Sequence, residues 1–228
     1  MRFIDIGMED DKQPVVEQEK EVVIYVKIGD PEGLKEAFKV EEQFQGQIKT
    51  SVGSIRVRRS KHVDGTYVYE QTTKVLKANT ALKEMTESTL VITKEVFDHF
   101  LSVVPTYMDK TRYSFKAEKV TVTVGEKTVE LDPEDLIYEV DVFKDKDGKE
   151  SEWCKIDIEV QKLSNKLEAV FGNDIPDIDL TVKINQLPFK PSNFVLEDES
   201  TNEDKKKLIT AIYDEQFLIK NPALAGSE

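Results

Sequence analysis

The stretch Ile55-Arg56-Val57-Arg58-Arg59 alternates apolar and cationic residues. Lys110-Thr111-Arg112-Tyr113 repeats this spacing with two cations, and Lys155-Ile156-Asp157-Ile158-Glu159-Val160 repeats it with two acids. Residues i and i+2 of a β-strand lie on the same face of a sheet. Each stretch is therefore predicted to place two like charges on one side of a sheet. A sheet closed on itself would turn these pairs inward and give a polar interior of opposed cations and carboxylates.

The composition is that of a globular chain and argues against several classes of protein. With 39% hydrophobic residues the chain can bury a core, and it has no apolar run near the ~20 residues that a membrane span needs. Acids follow the first methionine too soon for a secretory signal, so we expect a cytoplasmic protein. The formal net charge of −13 argues against binding to a DNA or RNA duplex, which favours a basic surface. The single cysteine, Cys154, excludes an internal disulfide.

The pattern of elements predicts an α+β fold with one barrel-like antiparallel sheet. One strand is predicted at each of 19–28, 66–76, 136–144 and 153–161, one or two within 42–60, and two within 107–124. The turn dipeptide Asp64-Gly65 and the segment Lys146-Asp147-Gly148-Lys149 are typical of hairpins. Helices are predicted after Pro31, between Thr93 and Pro105, at 164–171 and at 203–217. We expect an acidic lead at 1–18, one domain at 19–200, and a C-terminal helix and tail at 201–228.

Five short motifs, in order along the chain, resemble those of the CYTH superfamily, also called triphosphate tunnel metalloenzymes. That family includes thiamine triphosphatases, inorganic triphosphatases and class IV adenylyl cyclases. A strand, an Asp-Pro-Glu turn and a helix at 21–40 resemble the family's opening. The motifs are Ile55-Arg56-Val57-Arg58, Thr72-Thr73-Lys74, Lys110-Thr111-Arg112-Tyr113, Glu139-Val140-Asp141-Val142-Phe143 and Asp157-Ile158-Glu159-Val160.

The resemblance implies an antiparallel, eight-stranded closed β-barrel, or tunnel, with helices packed outside. It implies a triphosphate or nucleotide ligand held by inward cations, since arginine and lysine suit phosphate oxygens. The phosphate-binding residues would be Arg56, Arg58, Lys74, Lys110 and Arg112. It also implies a Mg²⁺ or Mn²⁺ cofactor, which prefers oxygen ligands, and the metal ligands would be Asp141, Asp157 and Glu159. The resemblance gives catalytic roles to the first strand, here Glu19 and Glu21 with Lys27.

The first motif of the family, Glu-x-Glu-x-Lys, is incomplete in this chain. Glu19 and Glu21 fit the two acids, but Val23 stands at the lysine position and Lys27 lies further along the same face. In the alternative register, Glu17 and Glu19 are the acids and Glu21 stands at the lysine position. The incomplete motif favours a non-catalytic protein, whereas the intact cation and acid pairs favour a metal-dependent triphosphate hydrolase, which we rank first, with a cyclase as a variant of the same site. The alternatives are a non-catalytic protein that binds a nucleotide, polyphosphate or protein, and a structural or regulatory protein that keeps only the fold.

Overall fold

The structure, a computed structural model, describes residues 15–28, 31–76, 84–116, 120–124, 126–132 and 137–159, and a few positions beyond: 166, 169–170, 194–195, 218–221 and 224. Of residues 15–24, 26–27, 76, 84–85, 120–124, 131, 159 and 194–195, only the backbone is described. Residues 166, 169 and 170 are the described part of the helix predicted at 164–171, and they are helical. The helix predicted at 203–217 lies outside the described residues.

Strands dominate the described part of the chain. In order, its elements are β1 Val15–Ile28, a 3₁₀ helix Pro31–Glu36, β2 Lys39–Thr50, β3 Gly53–His62, β4 Tyr67–Leu76, β5 Glu84–Val91, α1 Lys94–Val103, β6 Thr106–Lys116, β7 Val120–Val124, β8 Lys127–Leu131, β9 Ile137–Lys144, β10 Glu150–Glu159, β11 Phe194–Val195 and β12 Ile219–Lys220. The predicted α+β class with a large antiparallel sheet is confirmed at this level.

Both predicted hairpin turns are confirmed. Gly65, between β3 and β4, has a φ of 85°, and Gly148, between β9 and β10, has a φ of 78°. Glycine adopts this left-handed region without the steric cost that a Cβ brings. The carboxylate of Asp64 accepts a hydrogen bond from the backbone N–H of Thr66 at 2.9 Å, which closes the first turn.

The helix α1 is also where the sequence places it. The side chain of Thr93 caps it by accepting a hydrogen bond from the backbone N–H of Val96, and Pro105 follows its end. Gly46 of β2 lets the end of the helix come close to the sheet. A Cβ at this position would lie 2.5 Å from Cγ2 of Val104. The missing side chain therefore sets how closely α1 packs.

The sheet is antiparallel throughout, and its strands follow the order β10-β9-β6-β2-β3-β4-β5-β1-β11, with β12 beside β6. The strands β7 and β8 form a separate pair. The order places β2 and β3 at the centre, between β6 on one side and β4 on the other. The charged stretches of β3 and β6 are thus separated by a single strand.

The prediction of an eight-stranded closed barrel is wrong in its closure. Eight long strands are present, and both β5 and β10 pair with β1, but they pair with different parts of it. Residues 15–20 of β1 pair with β5, whereas residues 21–27 pair with β10. No described residue of β1 is paired with both β5 and β10, because the long strand passes from one of these partners to the other. The sheet is therefore not a barrel closed at any one level of β1.

The two faces of the sheet differ in chemistry. The apolar face carries Val57, Phe115, Val140, Ile156 and Ile158, which are all buried. The alternate positions form what we call the polar face, and the register joins its residues strand by strand. Its buried members include Gln43, Lys110, Arg112, Asp141 and Asp157. Because a buried charge is costly unless it is paired, this face has to satisfy its charges within itself.

No helix in the described part of the chain is long and apolar enough to cross a membrane.

Candidate functional site

A fully buried carboxylate, that of Asp141 on β9, holds two cations of β6. Its Oδ1 accepts a hydrogen bond from Nε of Arg112 at 2.7 Å, and its Oδ2 accepts one from Nη2 at 2.8 Å. The ammonium of Lys110 donates to the same Oδ2 at 2.5 Å. Asp141 is 0% exposed and Lys110 is 3% exposed. The register explains the fork, since Arg112 and Asp141 lie directly opposite each other on paired strands.

The same cluster reaches the neighbouring strand β10. Nη1 of Arg112 donates to the carboxylate of Glu139, and Nη2 lies 3.4 Å from Oδ2 of Asp157. The ammonium of Lys155 lies 2.6 Å from Oδ1 of Asp157. The central cluster, as we call Lys110, Arg112, Glu139, Asp141, Lys155 and Asp157, thus combines three cationic side chains with three carboxylates.

Burial and charge act against each other in this cluster. Burial alone would raise the pKa of Asp141, but Arg112 and Lys110 outweigh it and hold that pKa well below its usual range. Burial alone would lower the pKa of Arg112, but the carboxylates of Asp141 and Glu139 outweigh it and raise this pKa well above its usual value. The guanidinium therefore stays charged. Burial, together with repulsion from Arg112, lowers the pKa of Lys110 from 10.5 to about 7, although Asp141 opposes this. The ammonium of Lys110 therefore titrates near neutral pH.

Lys110 should make the stability of the fold depend on pH. Between a folded pKa of about 7 and an unfolded pKa near 10.5, the unfolded chain binds more protons than the folded chain. The free energy of unfolding should therefore rise with pH through this window, by up to about 1.4 kcal/mol per pH unit from this one group. Urea unfolding from pH 7 to about pH 9 measures the slope. The slope should be smaller in Lys110→Met than in the wild type. Lys94→Met is the control and should keep the slope of the wild type. A wild-type slope in Lys110→Met would contradict this role of Lys110.

A second group of charges lies on the other side of β2, and we call it the outer cluster. Glu87 of β5 accepts a hydrogen bond from Thr89 at 3.1 Å and pairs with Lys74 of β4 at 2.8 Å. Nη2 of Arg56 on β3 lies 3.7 Å from Oε1 of Glu87 and donates to Oγ1 of Thr72 at 3.2 Å. The charged side chains are half-buried and Thr72 is buried. The register brings Arg56, Thr72 and Thr89 into one row across three strands.

Arg58 makes its own pair beside the outer cluster. Its Nε and Nη2 both donate to Oε2 of Glu70, at 3.1 and 2.6 Å. Its side chain is 16% exposed. Its sequence neighbour Arg59 lies on the opposite face, where the guanidinium carbon is 5.4 Å from the ring centroid of Phe44 and 5.6 Å from that of Tyr67. Adjacent arginines therefore stand in different environments.

The structure places the five cations predicted for phosphate on the polar face, but it divides them. Lys110 and Arg112 belong to the central cluster, whereas Arg56, Arg58 and Lys74 lie beyond β2. Of the residues predicted to bind metal, Asp141 has both oxygens engaged by cations, and Asp157 is bound by Lys155. For Glu159, only the backbone is described. Among the residues whose side chains are described, no group of three or more His, Cys, Asp or Glu is placed to hold a metal ion.

The side chains of the three residues predicted to be catalytic, Glu19, Glu21 and Lys27, lie outside the described part of the structure. Their backbone register is described: Glu19 is opposite Met85 of β5, Glu21 is opposite Glu159, and Lys27 is opposite Trp153 of β10. Glu19 and Glu21 thus flank the point at which β1 changes partners.

Sequence reasoning missed Glu70, Glu87 and Glu139, the counter-ions of the predicted cations, and Lys155, the counter-ion of Asp157. Lys155 is the most informative, because it binds Asp157, the residue opposite Val23. Lys27 lies four residues beyond Val23, or about 13 Å along an extended strand. A cation near the incomplete motif therefore comes from β10. The signal was in the sequence, since Lys155 precedes Asp157 at the i, i+2 spacing of a shared face.

No protein-family model and no curated protein matches the chain. Among solved structures, two crystal structures of NE1496 are similar to it, one described as a hypothetical protein and the other as an inorganic triphosphatase. The first is 17% identical with a TM-score of 0.34, over 72% of this chain and 92% of that one. The second is 17% identical with a TM-score of 0.35, over 72% and 89%. A likeness this low carries no conclusion about function, which has to be inferred from the residues of the chain itself.

Proposed function

We propose that the protein binds the triphosphate group of a small molecule on its polar face and hydrolyses it with a divalent metal ion. The observation that supports this most strongly is that β3, β4 and β6 place five cations on one face of a sheet, all buried or half-buried. Charges are rarely concentrated in this way in a core that needs only to be stable. A triphosphate offers several anionic oxygens in a row, to which such a face is complementary.

The two sides of β2 suit different roles. Arg112 uses Nε, Nη1 and Nη2 on carboxylates of the central cluster, so we assign this cluster to holding the site together and setting its potential. Arg58 uses only Nε and Nη2, and the structure describes no protein partner for its Nη1. Since a guanidinium has five N–H donors, Arg58 can turn toward a phosphate while it keeps part of its contact with Glu70. Arg56 and Lys74 stand beside it.

The metal would be held where β1 meets β10. The register sets Glu21 directly opposite Glu159, and Asp157 lies two residues further on the same face. Like charges directly opposite each other on paired strands are destabilising, and a hard divalent cation with oxygen ligands would offset this repulsion. These acids fit Mg²⁺ or Mn²⁺ better than Asp141, whose oxygens are already engaged. A bound ion would supply charge neutralisation and an activated water.

The role of the chain's own residues is to position the substrate and neutralise its charge. Phosphoryl transfer to water needs little covalent chemistry from the protein, so catalysis is mostly positioning and electrostatic stabilisation. Arg58, Arg56 and Lys74 would hold the phosphate chain and stabilise the charge that gathers on the leaving group. Lys155 would orient Asp157, because its ammonium lies 2.6 Å from that carboxylate.

Binding without hydrolysis is the second candidate, and one observation favours it. Arg58, Lys74, Lys110 and Arg112 each already have a carboxylate within 3.0 Å. A ligand therefore has to replace existing ion pairs, which favours a slow or purely binding site over a fast enzyme.

Phosphate release from tripolyphosphate, ATP and thiamine triphosphate separates the two candidates. We expect slow release that requires Mg²⁺ or Mn²⁺, stops with excess chelator, and falls at least ~100-fold in Glu159→Gln, as when a group that stabilises transition-state charge is lost. Glu152→Gln, at an exposed position of the same strand, is the matched control. Release that persists in chelator or in Glu159→Gln would contradict the metal-dependent mechanism. If no phosphate is released from any triphosphate with either metal, binding without hydrolysis remains as the candidate function.

A further inference from the structure

Two glutamines of β2, the strand between the two clusters, carry buried carbonyl groups that nothing described satisfies. Gln43 is 1% exposed and Gln45 is 7% exposed. Among the described residues, Oε1 of each accepts no hydrogen bond. Nε2 of Gln45 donates to Sδ of Met108 at 3.2 Å, which fixes the amide with its oxygen turned away from the sulfur. The pair lies at i and i+2 and therefore on one face, about 7 Å apart.

Such groups are rare in folded proteins. More than about 90% of buried polar groups have a hydrogen-bond partner, because leaving one unpaired costs its full desolvation. One orphaned carbonyl is readily explained by a buried water. Two at alternate positions of one strand, beside charged residues on both sides, indicate a place built to receive hydrogen-bond donors.

The position of the glutamines relates them to the proposed phosphate site. Gln45 is the register partner of Arg58 on β3, and Gln43 is the register partner of Lys110 on β6. A ligand anchored by Arg58 would therefore place its neighbouring atoms next to Gln45 and then Gln43. Carbonyl oxygens only accept hydrogen bonds, and phosphate oxygens are themselves acceptors. The phosphate chain cannot satisfy the two groups.

We propose that Gln43 and Gln45 select a ligand whose non-phosphate part donates N–H or O–H hydrogen bonds. This inference rests on the proposed function and narrows it: the ligand is an organic triphosphate of the nucleoside type, with amino or hydroxyl donors, and not inorganic tripolyphosphate. The two glutamines act as specificity-determining residues, while the cations bind the part that all triphosphates share.

Calorimetric titration of the full chain with ATP and with tripolyphosphate, each with and without Mg²⁺, tests the proposal. The wild type should bind ATP more tightly than tripolyphosphate. The double variant Gln43→Leu, Gln45→Leu should lose about 10-fold or more of its ATP affinity and little of its tripolyphosphate affinity. Its unliganded melting temperature should be unchanged or higher, because leucine leaves no orphaned carbonyl. Gln71→Leu, on the apolar face opposite Val57, is the control and should leave both affinities unchanged.

Each other outcome overturns the proposal in a distinguishable way. If tripolyphosphate binds and ATP is not preferred, or if the double variant keeps the preference, the carbonyls hold only buried water and the triphosphate site still stands. If the double variant loses equal affinity for ATP and for tripolyphosphate, and only in titrations with Mg²⁺, water bound to the metal is the donor to the two carbonyls. If the wild type binds neither ligand, the proposed function fails together with this inference.

Discussion

Replacing Asp141 with asparagine should lower the free energy of unfolding by about 3–5 kcal/mol, the usual cost of removing one partner from a buried ion pair. Asp141 is the common acceptor for Lys110 and Arg112. All three side chains are buried, so water cannot solvate a cation that loses this carboxylate. Arg112 would keep Glu139 and Asp157, but Lys110 would lose its carboxylate. Urea unfolding followed by circular dichroism measures the change.

The matched control for this prediction is Asp98→Asn on α1. Asp98 also pairs with a lysine at 2.5 Å, but both side chains are more than half exposed, so the change in stability should be small. If Asp141→Asn lowers the stability no more than this control does, the central cluster does not hold the sheet together as described.

Arg58→Ala should remove the stabilisation that a triphosphate gives to the protein. A ligand at ~100 times its Kd adds about 2.7 kcal/mol to the free energy of unfolding, and most of this should disappear when the anchoring guanidinium is lost. The loss should be visible as a melting temperature that tripolyphosphate or ATP no longer raises. The pair with Glu70 is only half-buried, so the unliganded variant should still fold.

Arg59→Ala is the control for Arg58→Ala, because it removes the same side chain from the adjacent position. Arg59 packs between Phe44 and Tyr67 on the opposite face, so its loss should change the absolute melting temperature through lost packing. The increment added by ligand should remain. Equal ligand-induced increments in Arg58→Ala and the wild type would remove Arg58 from the site.

The alternation of charge was readable from the sequence because it depends only on the period of a strand. The i, i+2 pairs of β3, β6 and β10 needed no knowledge of which strands are neighbours, and the structure places them on one face. Their counter-ions were not readable, since Glu70 meets Arg58 only through the register of β3 and β4. Strand β5 was missed for a related reason. Its sequence, Glu84-Met85-Thr86-Glu87-Ser88-Thr89-Leu90-Val91, shows no apolar alternation, because Thr86 and Ser88, on the face opposite Glu87 and Thr89, are polar as well.

The sequence also did not predict how β1 pairs with the two ends of the sheet. The strand β1 begins at Val15, four residues before the predicted start, and residues 15–18 of this extra length pair with β5 together with Glu19 and Lys20. A pattern of alternating residues does not tell where a strand leaves one partner for another, because both partners accept the same alternation. The predicted barrel was therefore right in the number of its long strands and wrong in how they close. The catalytic role expected of Lys27 stays a prediction, because only the backbone of that residue is described.

The central claim, that the polar face binds triphosphate, is tested most directly by titrating the wild-type chain with tripolyphosphate and with ATP in a calorimeter, with and without Mg²⁺. The account predicts saturable binding that weakens as salt is added, because the contact is between charged groups. Absence of binding for both ligands, with metal and without it, would contradict the claim.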